Sequence, residues 1–367
     1  MNILMLDSET TWRGGEAQLD LLMRGLRESG FEPALACPSG SRIGDKEKAL
    51  GFQTFDVSMS GGMDVKGALQ LRSLLKRRPF DIIHAHASHA HSIAFLATRG
   101  LRSRPRLVVS RRVDFAVGRN RFSALKYKHG ADVYLAISNG VKNVLIESGI
   151  SEDRIRLVPS GIDLSKFDRL KHTGYLRTEF SLDQSRWIVG NIAALAPHKA
   201  QQDFIEAAAI VERELGEVKF FIVGEGNLLD RLQRQAAEKK LTSKITFTGF
   251  RSDPLEILST FHCFVISSRL EGLCTSIMDA QAMGVPVAAT DTGGIPDLID
   301  HEQTGLLAPP GQPGRLAENI VRLLTDQALN ERCRTLAKKK VTGYDYRNTV
   351  RKTLAAYEQV LAGENQS

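Results

Sequence analysis

The stretch that most restricts how this chain can fold runs from Phe261 to Thr290, FHCFVISSRLEGLCTSIMDAQAMGVPVAAT. Cys263 to Ile266 is a short apolar run closed by polar Ser267-Ser268-Arg269, the pattern of a buried strand. Leu270-Glu271-Gly272 turns the chain. A helix is expected from about Thr275 to Met283, stopped at Gly284 with Pro286 close behind. Val285 to Ala289 then supplies the next strand. A helix N-terminus at the carboxyl end of a strand offers unpaired N–H groups and the positive end of the dipole, which suits a phosphate. Glu271 in the turn and Asp279 in the helix would repel phosphate and better accept hydrogen bonds from sugar hydroxyls. A phosphate cradle beside hydroxyl acceptors fits a sugar nucleotide. An ordinary βαβ turn with a capping glutamate fits the same residues.

Strand candidates recur along the chain at Asn2–Asp7, Pro33–Cys37, Phe52–Asp56, Asp81–His84, Arg106–Ser110, Asp132–Ile137 and Arg156–Val158, with helical patterns between them. That alternation implies a parallel, doubly wound sheet with ligands at the carboxyl ends of its strands. The pattern restarts at Trp187–Ile192 and continues through Lys219–Val223 and Ile245–Thr248, after a polar stretch from Asp163 to Arg186 that contains Gly174. At 367 residues the chain has room for two such domains. We place them at 1–165 and 166–345, with residues 346–367 as a final helix and three helices in all between Arg315 and Leu361.

Composition narrows the class further. Hydrophobic content of 42% and charged content of 25% belong to a globular protein. No window approaches the length of apolar chain a membrane span needs. MNILMLDSE has no basic leader and reads as the first strand. Cys37, Cys263, Cys274 and Cys333 are far apart, as expected of reduced thiols in a cytoplasm. The net charge of +7 sits in the first 165 residues, which hold 24 Lys and Arg against 17 Asp and Glu. An anionic partner or a solvated basic face would each account for that excess. Asp64–Arg78, where leucines alternate with Lys66, Arg72, Lys76, Arg77 and Arg78, can lie on an anionic bilayer, or bury its leucines in the core.

Three further features carry chemistry. Gly14-Gly15 stands at a strand-to-helix turn, where missing side chains let a ligand approach the backbone. Gly224-Glu225-Gly226 has Leu229 where a dinucleotide loop needs glycine, so no nicotinamide cofactor is expected. His84, His86, His89 and His91 have no acidic or thiol neighbour in sequence, so a metal is not expected there.

Glu271-Gly272-Leu273, with an acid eight residues on, resembles the EX7E motif of retaining GT-B-fold glycosyltransferases of family 4. Cys274 stands where the family has proline, and Asp279 where it has glutamate. His84–His86, Ala136–Gly140, Val158–Asp163, Thr292–Asp297 and Thr304–Leu307 are similar to other family segments, so the resemblance spans nearly the whole chain. It implies two Rossmann-like domains facing across a cleft and hinged near 163–186. It also implies transfer of a sugar from a nucleotide diphosphate with retention, without a metal or other cofactor.

By the same resemblance Glu271, Lys199 and His86 are the catalytic residues. Gly14, Gly15, Lys199, Phe250, Arg251, Glu271, Gly272, Leu273, Cys274, Thr275 and Asp279 hold the donor, Asp279 at the ribose. Arg111 and Arg112 replace the histidine the family often places after that strand, and can stabilise charge. The family's usual arginine near Lys199 is Ala194 here. The implied acceptor is a glycan, lipid or lipopolysaccharide-type molecule at the inner face of a membrane, with no nucleic acid. A nucleotide-sugar-binding protein that has lost catalysis, or a GT-B-like epimerase or phosphorylase, are the alternatives.

Overall fold

The structure is a computed structural model that describes residues 1–113, 121–169, 175–180, 182 and 187–363. The chain forms two compact units, Met1–Gly161 with the chain from Tyr346 onward, and Ile162–Asp345. The change at Gly161–Ile162 comes four residues before the expected boundary, for a local reason. Gln18 exchanges two hydrogen bonds with the Gly161 backbone, at 2.8 and 3.0 Å, and holds it to the first unit. Ile162 instead bridges to Asp345 of the second.

In the first unit the described residues form a seven-stranded parallel sheet. Its strands are β1 (Ile3–Leu6), β2 (Ala34–Cys37), β3 (Thr54–Asp56), β4 (Ile82–Ala85), β5 (Arg106–Arg111), β6 (Val133–Ala136) and β7 (Ile155–Leu157), in the order β3-β2-β1-β4-β5-β6-β7. Strands β1, β2, β4 and β6 are buried throughout, because helices cover both faces and leave no side for water. Arg111, expected to follow its strand, is the last residue of β5 and pairs with Ala136 of β6. The final helix, Tyr346–Ala362, packs on the first, Gly14–Glu28. Tyr346 donates its hydroxyl to Glu28 at 2.7 Å, and Gly25 leaves room for Val350.

The second unit repeats the plan with β8 (Trp187–Ile192), β9 (Val218–Val223), β10 (Ile245–Gly249), β11 (Cys263–Ile266), β12 (Val287–Thr290) and β13 (Leu306–Ala308). Their order is β10-β9-β8-β11-β12-β13, again parallel. The helix after β11 runs from Thr275 to Met283, and Gly284 closes it in the left-handed conformation with φ 69°. Strand β12 begins two residues later than expected, because the Val285 N–H still bonds back to Ala280 and completes the helix end. Gly190 sits mid-strand because the Phe261 ring fills its side-chain space, 1.9 Å from where a Cβ would lie. Gly224 and Gly226 press against the carbonyls of Ala193 and Leu195, so this glycine pair serves packing. The expected linker contains a 3-10 turn, Leu164–Arg169, and a short helix, Tyr175–Glu179; Gly174 and Arg186 lie outside the described residues.

In each sheet the order reverses once, between β1 and β4 and between β8 and β11. Connections leave those two neighbours in opposite directions, so a crevice opens at their carboxyl ends.

Candidate functional site

The crevice after β8 and β11 brings Lys199 and Glu271 together from positions 72 residues apart. Lys199 ends a 3-10 turn, Pro197–Lys199, and its ammonium lies 2.6 Å from Glu271 Oε2. The two side chains are 19% and 10% exposed. Neighbouring polar groups fix this corner. Ser268 donates to the same Glu271 oxygen at 3.1 Å, and Ser267 donates to the Lys199 carbonyl at 3.0 Å. Thr290 holds the Ser268 carbonyl from β12, and the Gly294 N–H bonds to the Glu271 carbonyl. Three strand ends therefore determine where the carboxylate stands.

Cys274 is the N-cap of the helix Thr275–Met283 and gives no side-chain cap. The Ile277 N–H bonds back to the Cys274 carbonyl, and the start of the helix carries the positive dipole end that favours an anion. Gly272, Leu273 and Cys274 are buried behind it. Burial first, and then the Glu271 charge, push the Cys274 thiol up to about 12, so it stays a neutral thiol against Ser276 at 3.2 Å.

Asp279, on the same helix, keeps part of its surface open, yet desolvation pushes its carboxyl up to about 7 against the opposing pull of Lys166. Lys166 is a neighbour that sequence reasoning missed, because it lies in the segment read as linker. Arg251 is engaged by two carboxylates, Glu179 at 2.8 Å and Asp253 at 2.9 Å, so its charge is already compensated. Phe250 beside it is 71% exposed.

The other expected residues belong to the first unit. Gly14 and Gly15 open the helix Gly14–Glu28, with Arg112 beside Gly15. Arg112 donates to His86 Nδ1 at 3.1 Å and to Ser160 at 3.4 Å. Arg111 reaches Tyr127 at 3.2 Å. His86, expected to be catalytic, is buried under Arg112 with its other nitrogen 3.4 Å from Met5 Sδ. Desolvation holds it well below the usual histidine range, so it is neutral. His84 bonds Tyr357 and Ser110, His91 bonds the Gly130 carbonyl, and His89 is exposed. Among the described residues no group of His, Cys, Asp and Glu is placed to hold a metal. Asp7 and Glu16, buried within electrostatic reach of Arg112, were not foreseen.

Two doubly wound units, the second with a cation–carboxylate pair beside an uncapped helix, define the GT-B class. The model "Glycosyltransferase Family 4" matches residues 12–166, and "Glycosyl transferases group 1" matches 176–340. The chain belongs to the GT-B glycosyltransferases of the family 4 type. It is 27% identical to the UDP-Gal:alpha-D-GlcNAc-diphosphoundecaprenol alpha-1,3-galactosyltransferase of Escherichia coli, over 91% of this chain and 90% of that one. It is 32% identical to a GDP-mannose-dependent alpha-mannosyltransferase of Mycobacterium tuberculosis, over 63% and 57%. In structure it is similar to Anabaena HepE in complex with UDP, with TM-score 0.86 and 18% identity over 98% of this chain and all of that one.

Proposed function

We propose that the protein transfers a sugar from a nucleotide-diphosphate donor to a glycan or lipid-linked acceptor, with retention and without a metal. The Lys199–Glu271 pair beside the uncapped helix Thr275–Met283 carries this reading. A diphosphate is the ligand that competes best with Glu271 for Lys199, and it gains the helix N–H donors in the same move. Glu271, released, turns to the sugar hydroxyls, and ionised Asp279 accepts from the ribose. Phe250 offers an exposed ring to the base. The names of the relatives support the donor class: UDP-galactose for one, GDP-mannose for another.

Among the described residues, the groups around Glu271 include alcohols, a shielded thiol and a cation. That favours reaction on one face of the sugar. The bond from the anomeric carbon to the acceptor oxygen forms as the bond to the phosphate oxygen breaks. The acceptor proton passes to that phosphate. Lys199 and the helix end stabilise the departing charge, so the enzyme contributes position and electrostatics.

The helix Val65–Arg77 supports a peripheral membrane contact. Leu71 and Leu74 go to the core, while Val65 and Leu69, 64% and 61% exposed, share the outer face with Lys66, Lys76 and Arg77. No helix among the described residues is long and apolar enough to cross a membrane.

The test is a thermal-shift panel of UDP-glucose, UDP-galactose, UDP-N-acetylglucosamine and GDP-mannose, followed by transfer assays with and without EDTA. We expect one donor to raise the melting temperature, and turnover to survive EDTA with the product α-configured by anomeric proton coupling. Activity lost in EDTA and restored by magnesium or manganese would remove the metal-free reading, and a β-configured product the retaining one. Donor binding with neither transfer nor hydrolysis would favour a binder without catalysis.

A further inference from the structure

His86 sits where a catalytic histidine is expected, yet its geometry leaves it nothing to do there directly. Arg112 Nη2 donates to His86 Nδ1 at 3.1 Å, so the Nδ1 lone pair is in use and the ring proton must be on Nε2. That nitrogen faces Met5 Sδ at 3.4 Å inside the sheet. The ring is 8% exposed, lies tilted by 37° against His84 with centroids 4.0 Å apart, and is neutral because it is desolvated and lies beside His84 and Arg112. It can neither take a proton from a substrate nor give one.

Everything around it converges on Arg112 instead. Ser160 accepts from Nη1, Gly15 passes over the side-chain stem, and Asp7 and Glu16 are the carboxylates whose field reaches the guanidinium. Asp7 is 2% exposed at the end of β1 and Glu16 4% exposed in the first helix turn, where it takes the Arg13 N–H at 2.6 Å. Both are too deep to serve a substrate. Arg112 is not, since it keeps some exposed surface at the carboxyl end of β5.

We propose that His86 is a positioning residue that, with Ser160, holds Arg112 as the cation the first unit presents to the acceptor. This rests on the transferase reading above. Nη1 and Nη2 each spend one N–H on a neutral partner, Ser160 and His86, and each keeps a second for an acceptor oxygen. Desolvation first, then Glu16, push Asp7 up to about 7, so at neutral pH it is partly protonated.

The test uses the full-length protein, octyl glycosides of glucose, galactose and N-acetylglucosamine as acceptors, and whichever of the four donors is turned over. UDP affinity by calorimetry is the control. His86→Gln keeps an acceptor oxygen for Arg112 but has no acid–base chemistry. We expect it to hold kcat within about threefold, while His86→Leu loses tenfold or more in kcat/KM for the acceptor at unchanged UDP affinity. Arg112→Lys, which keeps the charge but not the paired hydrogen bonds, should fall with His86→Leu, and carries the test if the leucine variant does not fold. A folded His86→Gln as inactive as His86→Leu overturns the proposal in favour of direct catalysis. So does wild-type kcat/KM in Arg112→Lys. A wild-type protein that binds no UDP and transfers nothing defeats the transferase reading before any variant is made.

Discussion

Replacing Lys199 with methionine tests the centre of the proposed site, and it acts in two ways that can be separated. The ammonium lies 2.6 Å from Glu271 Oε2, both groups largely shielded from water. If Lys199 meets the departing diphosphate, its loss removes one preorganised donor from the transition state, about 2–4 kcal/mol by analogy with an oxyanion donor. At about 1.36 kcal/mol per decade that is roughly 30- to 900-fold in kcat. The change also strands Glu271, leaving the carboxylate to its remaining partners, Ser268 at 3.1 Å among them. A charge deprived of a bonded partner costs about 1–3 kcal/mol, nearer the lower end where water still reaches it. In a unit of this size each kcal/mol lowers the melting temperature by about 2–4 °C. The assay is kcat at saturating donor together with the melting temperature, for Lys199→Met and for Lys199→Met with Glu271→Gln. The double variant no longer strands a charge, so its melting temperature should recover while activity stays low. Wild-type kcat in the single variant, or activity returning with stability in the double, would show that the pair only braces two strand ends.

Three further expectations follow from other groups. Burial raises Asp279 from 3.8 to about 7, so ionising it in the folded state costs stability as pH climbs from about 4 to 7; Asp279→Asn should gain on the wild type across that window. Donor KM should fall between pH 6 and 8 in the wild type and stay flat in Asp279→Asn; a wild-type KM that does not change with pH removes the ribose role. Glu47 is raised from 4.5 to about 8 by desolvation and then by Asp20, so Glu47→Gln should melt higher than the wild type at pH 9, with the gap closing toward pH 4.5; a pH-independent gap counts against the buried acid. Phe250→Ala should leave the melting temperature nearly unchanged, the ring being 71% exposed, yet weaken UDP binding by about 1–3 kcal/mol if it stacks on the base; equal UDP affinity discards that role.

The fold was readable wherever a local pattern needed no distant partner. The helix Thr275–Met283 falls where its apolar spacing and Gly284 place it, and β4 and β11 match their apolar runs closely. Ends slipped where hydrogen bonds to other segments decide. Pro286 reads as strand, but the Val285 N–H belongs to the preceding helix, and Arg111 reads as loop until β6 pairs with it. The site was legible more by resemblance than by physics. Nothing local in Lys199 points to Glu271, and the basic reading of Arg251 does not reveal that Glu179 and Asp253 compensate it. The role of His86 depends on which nitrogen meets Arg112, and that is a fact of tertiary structure alone.

The two crevices share a topology and differ in charge, and the difference follows from what each can hold. A parallel sheet covered on both faces can show polar groups only at strand ends, and the order reversal is where those ends stay open. At β8 and β11 one cation meets one carboxylate beside the positive end of an uncapped helix, so a ligand that displaces the carboxylate finds a surplus of positive character. At β1, β4 and β5 the cation is Arg112, which donates to neutral His86 and to Ser160, with Asp7 and Glu16 buried within electrostatic reach. The helix starting there has its first turn closed by its own Glu16. On the proposed reading the first arrangement takes the diphosphate, and the second donates to the acceptor hydroxyl through Arg112.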